Sequence, residues 1–132
     1  MPQLQNLVLT DRESTPVDHT FVPRDIRDGV GEVVESSGVP VGENRYTISL
    51  RKTPNSRYKS TIKMVIPVVQ NQVESGITTP VVVRTAYATV EFDFDSKSTT
   101  QERNNVVGML ASSLGASKVL VNDTVVNLQG VY

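Results

Sequence analysis

The sequence predicts a single α+β domain over residues 1–132, with strands first and two helices last. Three observations carry this. Residues 4–94 are rich in Val, Thr, Ile and Tyr, alternate polar with apolar side chains, and are broken by turn residues. After Asp95 the apolar residues recur at helical spacing. With 132 residues, 38% of them apolar, the chain suffices for one core and is short for a second. Strands followed by helices gather the helices on one sheet face.

Residues 6–10 and 20–22 flank Asp11-Arg12-Glu13-Ser14-Thr15-Pro16, which reads as an N-terminal hairpin with a wide turn. A short strand over 29–35 is closed by Ser36-Ser37-Gly38. Strands over 45–52 and 57–66 are joined by Thr53-Pro54-Asn55-Ser56, four residues of strong turn chemistry. A polar loop is expected over 70–79, and the longest strand over 80–95. Thr99-Thr100-Gln101-Glu102 is a capping box, with Thr99 as N-cap. Val106, Val107, Met109, Leu110 and Leu114 then form one apolar face, and Gly115 stops the helix. Ser117 is the expected cap of a second helix, with Leu120, Val121, Thr124, Val125 and Leu128 as its stripe.

Composition narrows the function. Without Cys there is no disulfide framework, thiol nucleophile or thiolate metal site. One histidine, His19, excludes His-rich zinc sites and argues against a Ser-His-Asp triad; it is expected to be a surface or hairpin histidine. No apolar run approaches the roughly 18 residues of a membrane-spanning helix, and the N-terminus lacks the regions of a signal peptide. With only 5% aromatic residues, burial between subunits becomes an expectation. Gly29-Val30-Gly31 is no phosphate loop, because neither Lys-Ser/Thr nor a helix start follows.

Strand parity carries the most information, since side chains alternate faces. Arg45, Thr47, Ser49 and Arg51 share a face, with Tyr46, Ile48 and Leu50 behind them. Arg57, Lys59, Thr61 and Lys63 share one too, and so do Thr85, Tyr87, Thr89, Glu91, Asp93 and Asp95. The net charge of −1 speaks against nucleic acid, but residues 45–63 hold Arg45, Arg51, Lys52, Arg57, Lys59 and Lys63 and no acid. That local charge of +6 leaves −7 on the rest, and phosphate binding responds to local potential. Thr47, Ser49 and Thr61 add hydrogen-bonding hydroxyls, and Tyr87 adds a ring on which an unpaired base can stack. The bland reading is an ordinary solvated sheet face. Glu91, Asp93 and Asp95 could in principle hold a divalent cation, but three carboxylates on one strand lack a surrounding cage; an acidic rim is the simpler account.

At these residues the chain resembles the coat proteins of small single-stranded RNA bacteriophages, the leviviruses. The resemblance spans nearly the whole chain. It rests on Asn6-Leu7-Val8-Leu9, Arg51 and the polar turn after it, Tyr58-Lys59-Ser60-Thr61-Ile62-Lys63 ending at Pro67, and the 80–94 strand centred on Tyr87. Thr99-Thr100-Gln101-Glu102-Arg103 and the Gly130-Val131-Tyr132 terminus complete it. The likeness runs towards the group infecting hosts with broad-range conjugative plasmids.

The resemblance implies an N-terminal β-hairpin, an antiparallel sheet of about five strands and two C-terminal helices. It also implies an interlocked homodimer with a continuous sheet, dimers tiling a quasi-equivalent (T=3) icosahedral shell, and an inner sheet face that binds an RNA hairpin at the replicase start. That binding represses replicase translation and marks the genome for packaging. Carried over by position, the adenine pocket falls on Val30, Thr47, Ser49, Thr61 and Lys63. Phosphate contacts fall on Arg45, Arg51, Arg57 and Lys59, the stacking ring on Tyr87, and loop-base and sugar contacts on Thr89 and Glu91. Thr89 stands where some relatives carry Asn or Asp, Pro54 replaces a hydroxyl residue, and the loop cysteines of some relatives are absent.

The implied partners are the chain itself and single-stranded genomic RNA, with no membrane, cofactor, metal or catalysis. The implied location is the virion, after synthesis in the bacterial cytoplasm. Two alternatives stand beside this reading: a shell-forming coat protein without specific hairpin recognition, and a small metal-dependent hydrolase using Glu91, Asp93 and Asp95.

Overall fold

The computed structural model describes residues 2–36 and 40–132. Alternating, β-branched segments give six strands: β1 (Leu7–Thr10), β2 (Asp18–Arg27), β3 (Val30–Glu35), β4 (Asn44–Lys52), β5 (Arg57–Glu74) and β6 (Ile77–Asp95). They form one sheet in the order β1-β2-β3-β4-β5-β6, and the ladders from β1 to β5 are antiparallel. The expected hairpin and five-stranded sheet are therefore one six-stranded sheet. The turn expected at Ser36-Ser37-Gly38 lies, past Ser36, outside the described residues.

The expected loop over 70–79 is not a loop. Strands β5 and β6 run through it and leave only Ser75 and Gly76 as the turn, at φ 52° and 79°. Two consecutive positive φ values match the twist of the flanking strands and make a tight hairpin. The polar run Gln70-Asn71-Gln72 concealed this, because an exposed strand end needs no apolar face.

By its contacts the chain forms two compact units, Met1–Asp93 and Phe94–Tyr132. The core of the first is small: Phe21, Val33 and Val34 are its buried apolar residues among those described. Phe21 meets Tyr46 edge-on at 6.4 Å, behind the polar face of β4. Val34 lies opposite both Val22 and Arg45, so at this end the polar face gives way to apolar packing. Beside it Glu43, 8% exposed, receives Arg24 Nη1 at 2.6 Å.

In the second unit, α1 (Thr100–Ser113) begins as expected: Thr99 Oγ1 accepts the Glu102 amide and the Glu102 carboxylate accepts the Thr99 amide, each at 3.2 Å. Gly115 N–H closes back on the Ser112 carbonyl. The second helix, α2 (Val119–Val125), is shorter than its stripe. Its N-cap is Lys118 and makes no side-chain cap bond, so Ser117 is not the cap, and Leu128 lies beyond the helix at φ 57°. Neither helix has a buried residue; Val106, Val107, Met109 and Leu120 are all exposed.

Candidate nucleic-acid interface

Register assembles the site. In an antiparallel ladder, directly opposite residues share a face, with Cβ atoms about 4.5–5.5 Å apart. Val30 on β3 faces Ser49 on β4, and Ser49 faces Thr61 on β5. One step along, Glu32 faces Thr47, which faces Lys63. The five residues expected to form a base pocket thus occupy two adjacent rows across three strands. Glu32 completes the second row. Its i+2 spacing from Val30 was the available signal, but only the β3–β4 register places it beside Thr47.

The cations frame these rows. Arg51 lies opposite Lys59 on one side, and Arg45 opposite Val65 on the other. Arg45, Arg51 and Lys63 are exposed and make no ion pair among the described residues. Arg57 and Lys59 differ. Arg57 Nε donates to Asp93 Oδ1 at 2.7 Å, and Lys59 Nζ lies 3.6 Å from Glu91 Oε1. Glu91 and Asp93 are therefore taken up by cations of the neighbouring strand, which leaves the hydrolase alternative without free carboxylates at those two positions. Period two along β6 carries the same face to Thr89 and Tyr87, both exposed; the Tyr87 side is 76% accessible, an open ring. Lys52 turns elsewhere, 5.8 Å from the Tyr58 ring centre, a cation–π contact.

On the N-terminal hairpin, His19 is no simple surface histidine. Its Nε2 lies 2.7 Å from Asp11 Oδ2 and its Nδ1 2.8 Å from Glu35 Oε2, while Asn44 donates to Glu35 Oε1 at 2.8 Å. The hydrogen bonds to Asp11 and then Glu35 raise the His19 pKa, against some desolvation. Asp11 is shifted down, first by the Val17 amide and then by His19. Burial pushes the Tyr46 phenol up.

The surface is a sheet face that carries the exposed cations Arg45, Arg51 and Lys63, the hydroxyls of Thr47, Ser49 and Thr61, and the open Tyr87 ring. A family model described as levivirus coat protein matches residues 2–132. The chain belongs to the levivirus coat protein family. This coat protein is 73% identical over 130 residues to the capsid protein of Pseudomonas phage PRR1, covering 98% of this chain and 99% of that one. The coat protein is also 34% identical over 135 residues to the capsid protein of Qbeta virus strain MX1, with both chains fully covered. Among solved structures it is similar to the bacteriophage GA capsid protein, with a TM-score of 0.83, 26% identity and 98% of each chain covered. It is similar too to the virus-like particle of bacteriophage NT-214, at a TM-score of 0.85 and 25% identity, covering 99% of this chain and 100% of that one. The family is one of structural capsid proteins.

Proposed function

We propose that this capsid protein assembles as interlocked dimers into a quasi-equivalent icosahedral shell, and that its polar sheet face binds an RNA hairpin. That binding represses replicase translation and marks the genome for packaging. The whole of 1–132 acts as one coat domain, with no catalysis, and the protein is made in the host cytoplasm before entering the virion. The observation that carries the RNA reading is the register that sets Val30, Ser49 and Thr61 beside Thr47 and Lys63 within a frame of cations.

Two facts support self-association. Large apolar side chains stand in solvent, as on a surface that a second subunit covers: Leu50, Met109 and Leu120 are each about two-thirds exposed. The similar chains of bacteriophages ESE058 and NT-214 form virus-like particles.

Size-exclusion chromatography with absorbance at 260 and 280 nm tests the shell, and filter binding of dimers to hairpin and scrambled RNA tests recognition. A megadalton particle containing RNA and a preference for one hairpin are the expected results. A 14.5 kDa monomer would end the shell reading. Particles whose dimers bind both RNAs equally would leave a coat protein without hairpin recognition.

A further inference from the structure

We propose that Glu32 is a specificity-determining residue whose carboxylate accepts the exocyclic amino group of an unpaired base and rejects uracil. This rests on the RNA-binding reading and concerns which bases the same face takes.

Register puts Glu32 in the row of Thr47 and Lys63. Directly opposite residues share a face, and Glu32 stands opposite Asp25 on β2 and opposite Thr47 on β4. Of the two facing carboxylates, Asp25 is engaged through both oxygens. Its Oδ1 accepts the Ile26 amide at 2.8 Å, and its Oδ2 accepts Arg27 Nη2 at 3.3 Å. The half-buried Glu32 carboxylate has no partner among the described residues. Arg24 and Arg27 line a cavity of about 390 Å³ together with Glu32 and Val30. Arg24 is bound to Glu43 and Arg27 to Asp25, so neither cation is paired with Glu32.

On a face that binds a polyanion, such a carboxylate is a cost unless the RNA brings a donor to it. It can only accept hydrogen bonds, and an unpaired base offers its Watson–Crick edge. Adenine, cytosine and guanine each carry an amino group on that edge. Uracil carries carbonyl oxygens on both sides of its single N–H. An amino group therefore completes Glu32, whereas a uracil oxygen meets its lone pairs. The Thr47 hydroxyl opposite both donates and accepts, so it suits the ring nitrogen next to the amino group. Val30, two residues along and 37% exposed, gives the ring an apolar surface. A bond to a charged acceptor is stronger than one to a hydroxyl, so Glu32 adds discrimination that the hydroxyl rows lack.

The test uses purified dimers and a hairpin enriched by the wild-type protein from a random-loop pool. Each loop nucleotide is replaced in turn by its analogue without the amino group: purine riboside for adenosine, inosine for guanosine, 2-pyrimidinone riboside for cytidine. At one loop position the wild type should lose about tenfold in affinity. In Glu32→Ala the same replacement should cost little, because no carboxylate is left to complete. Uridine at that position should be rejected by the wild type and better tolerated by Glu32→Gln, whose amide can donate to a carbonyl oxygen. Glu13→Ala, which removes the same charge from the turn between β1 and β2, should keep the wild-type pattern. A merely structural role would lower affinity for parent and analogue hairpins alike. The proposal is overturned if no loop position loses more from amino removal in the wild type than in Glu32→Ala. Coupling of Glu32 to a 2′-hydroxyl in place of an amino group, read by 2′-deoxy replacement at the same positions, would overturn it too. A wild-type protein that enriches no hairpin would remove hairpin recognition and this inference together.

Discussion

His19 and Glu35 are joined by a bond of 2.8 Å from Nδ1, while the other ring nitrogen is held by Asp11. A neutral imidazole has one donor and one acceptor, whereas two carboxylates ask for two donors. The arrangement is complete only when His19 is protonated. It ties the turn after β1 to β2 and β3, so the charge on one ring bears on the anchoring of the N-terminal hairpin.

Stability should therefore depend on pH. The folded pKa of His19 is raised above its ordinary 6.5, so its contribution is fully present below 6.5 and is lost as pH rises through the folded value. The lowered Asp11 works in the opposite sense: its contribution is present above 3.8 and is lost as pH falls through its folded value. Melting temperature should hold between those limits and decline on the alkaline side. In His19→Asn the alkaline decline should flatten, as a series of thermal melts from pH 5 to 9 would show. Proton NMR should place the His19 titration above 6.5; a midpoint below it would contradict this account.

Removing Arg24 should be costly for a surface arginine. It is 43% exposed, but its partner Glu43 is only 8% exposed and would be left as a nearly buried charge. A fully buried pair broken this way costs about 3–5 kcal/mol, and water at Arg24 reduces the figure to about 1–3 kcal/mol for Arg24→Ala. Adding Glu43→Gln should recover part of it, which urea unfolding of the single and double variants would measure.

The two helix starts make a matched pair. Thr99→Ala removes a complete capping box and should cost about 1 kcal/mol. Ser117→Ala should cost almost nothing, because Lys118 occupies the N-cap of α2 and Ser117 caps nothing. Denaturant melts of the two variants, side by side, decide the point.

What the sequence disclosed depended on how local each feature is. The Thr99–Glu102 box and the faces of β4 and β5 depend on residues a few positions apart, and each was legible. The Ser75-Gly76 turn was also local, but Gln70-Asn71-Gln72 and Pro80 imitated a loop around it. Glu32 in the pocket rows, Asp93 against Arg57 and Glu35 against His19 depend on strand register across 15 to 36 residues. Periodicity assigns a face to such residues but does not choose their neighbours. That is why +6 over 45–63 overstated the number of cations free to meet phosphate.

Tyr87 separates base contact from charge. Its ring is open on the polar face, and period two along β6 aligns it with Thr89, Glu91 and Asp93. Stacking on an aromatic ring contributes about 1–3 kcal/mol per base, so Tyr87→Ala should weaken binding to an enriched hairpin by roughly fivefold to 150-fold. The salt slope should hardly move, because no cation is lost. Tyr87→Phe should keep most of the affinity, since stacking needs the ring and not the hydroxyl. Arg51→Gln should do the reverse, weakening hairpin and scrambled RNA alike and lowering the slope by about 0.7. Tyr46 supplies the control: it packs edge-on against Phe21 behind the sheet, so Tyr46→Ala should lower the melting temperature while folded dimers bind RNA normally. Filter binding at two salt concentrations reads all four variants. Equal losses for hairpin and scrambled RNA in Tyr87→Ala would show that the ring is no base platform, and that the face selects RNA by charge alone.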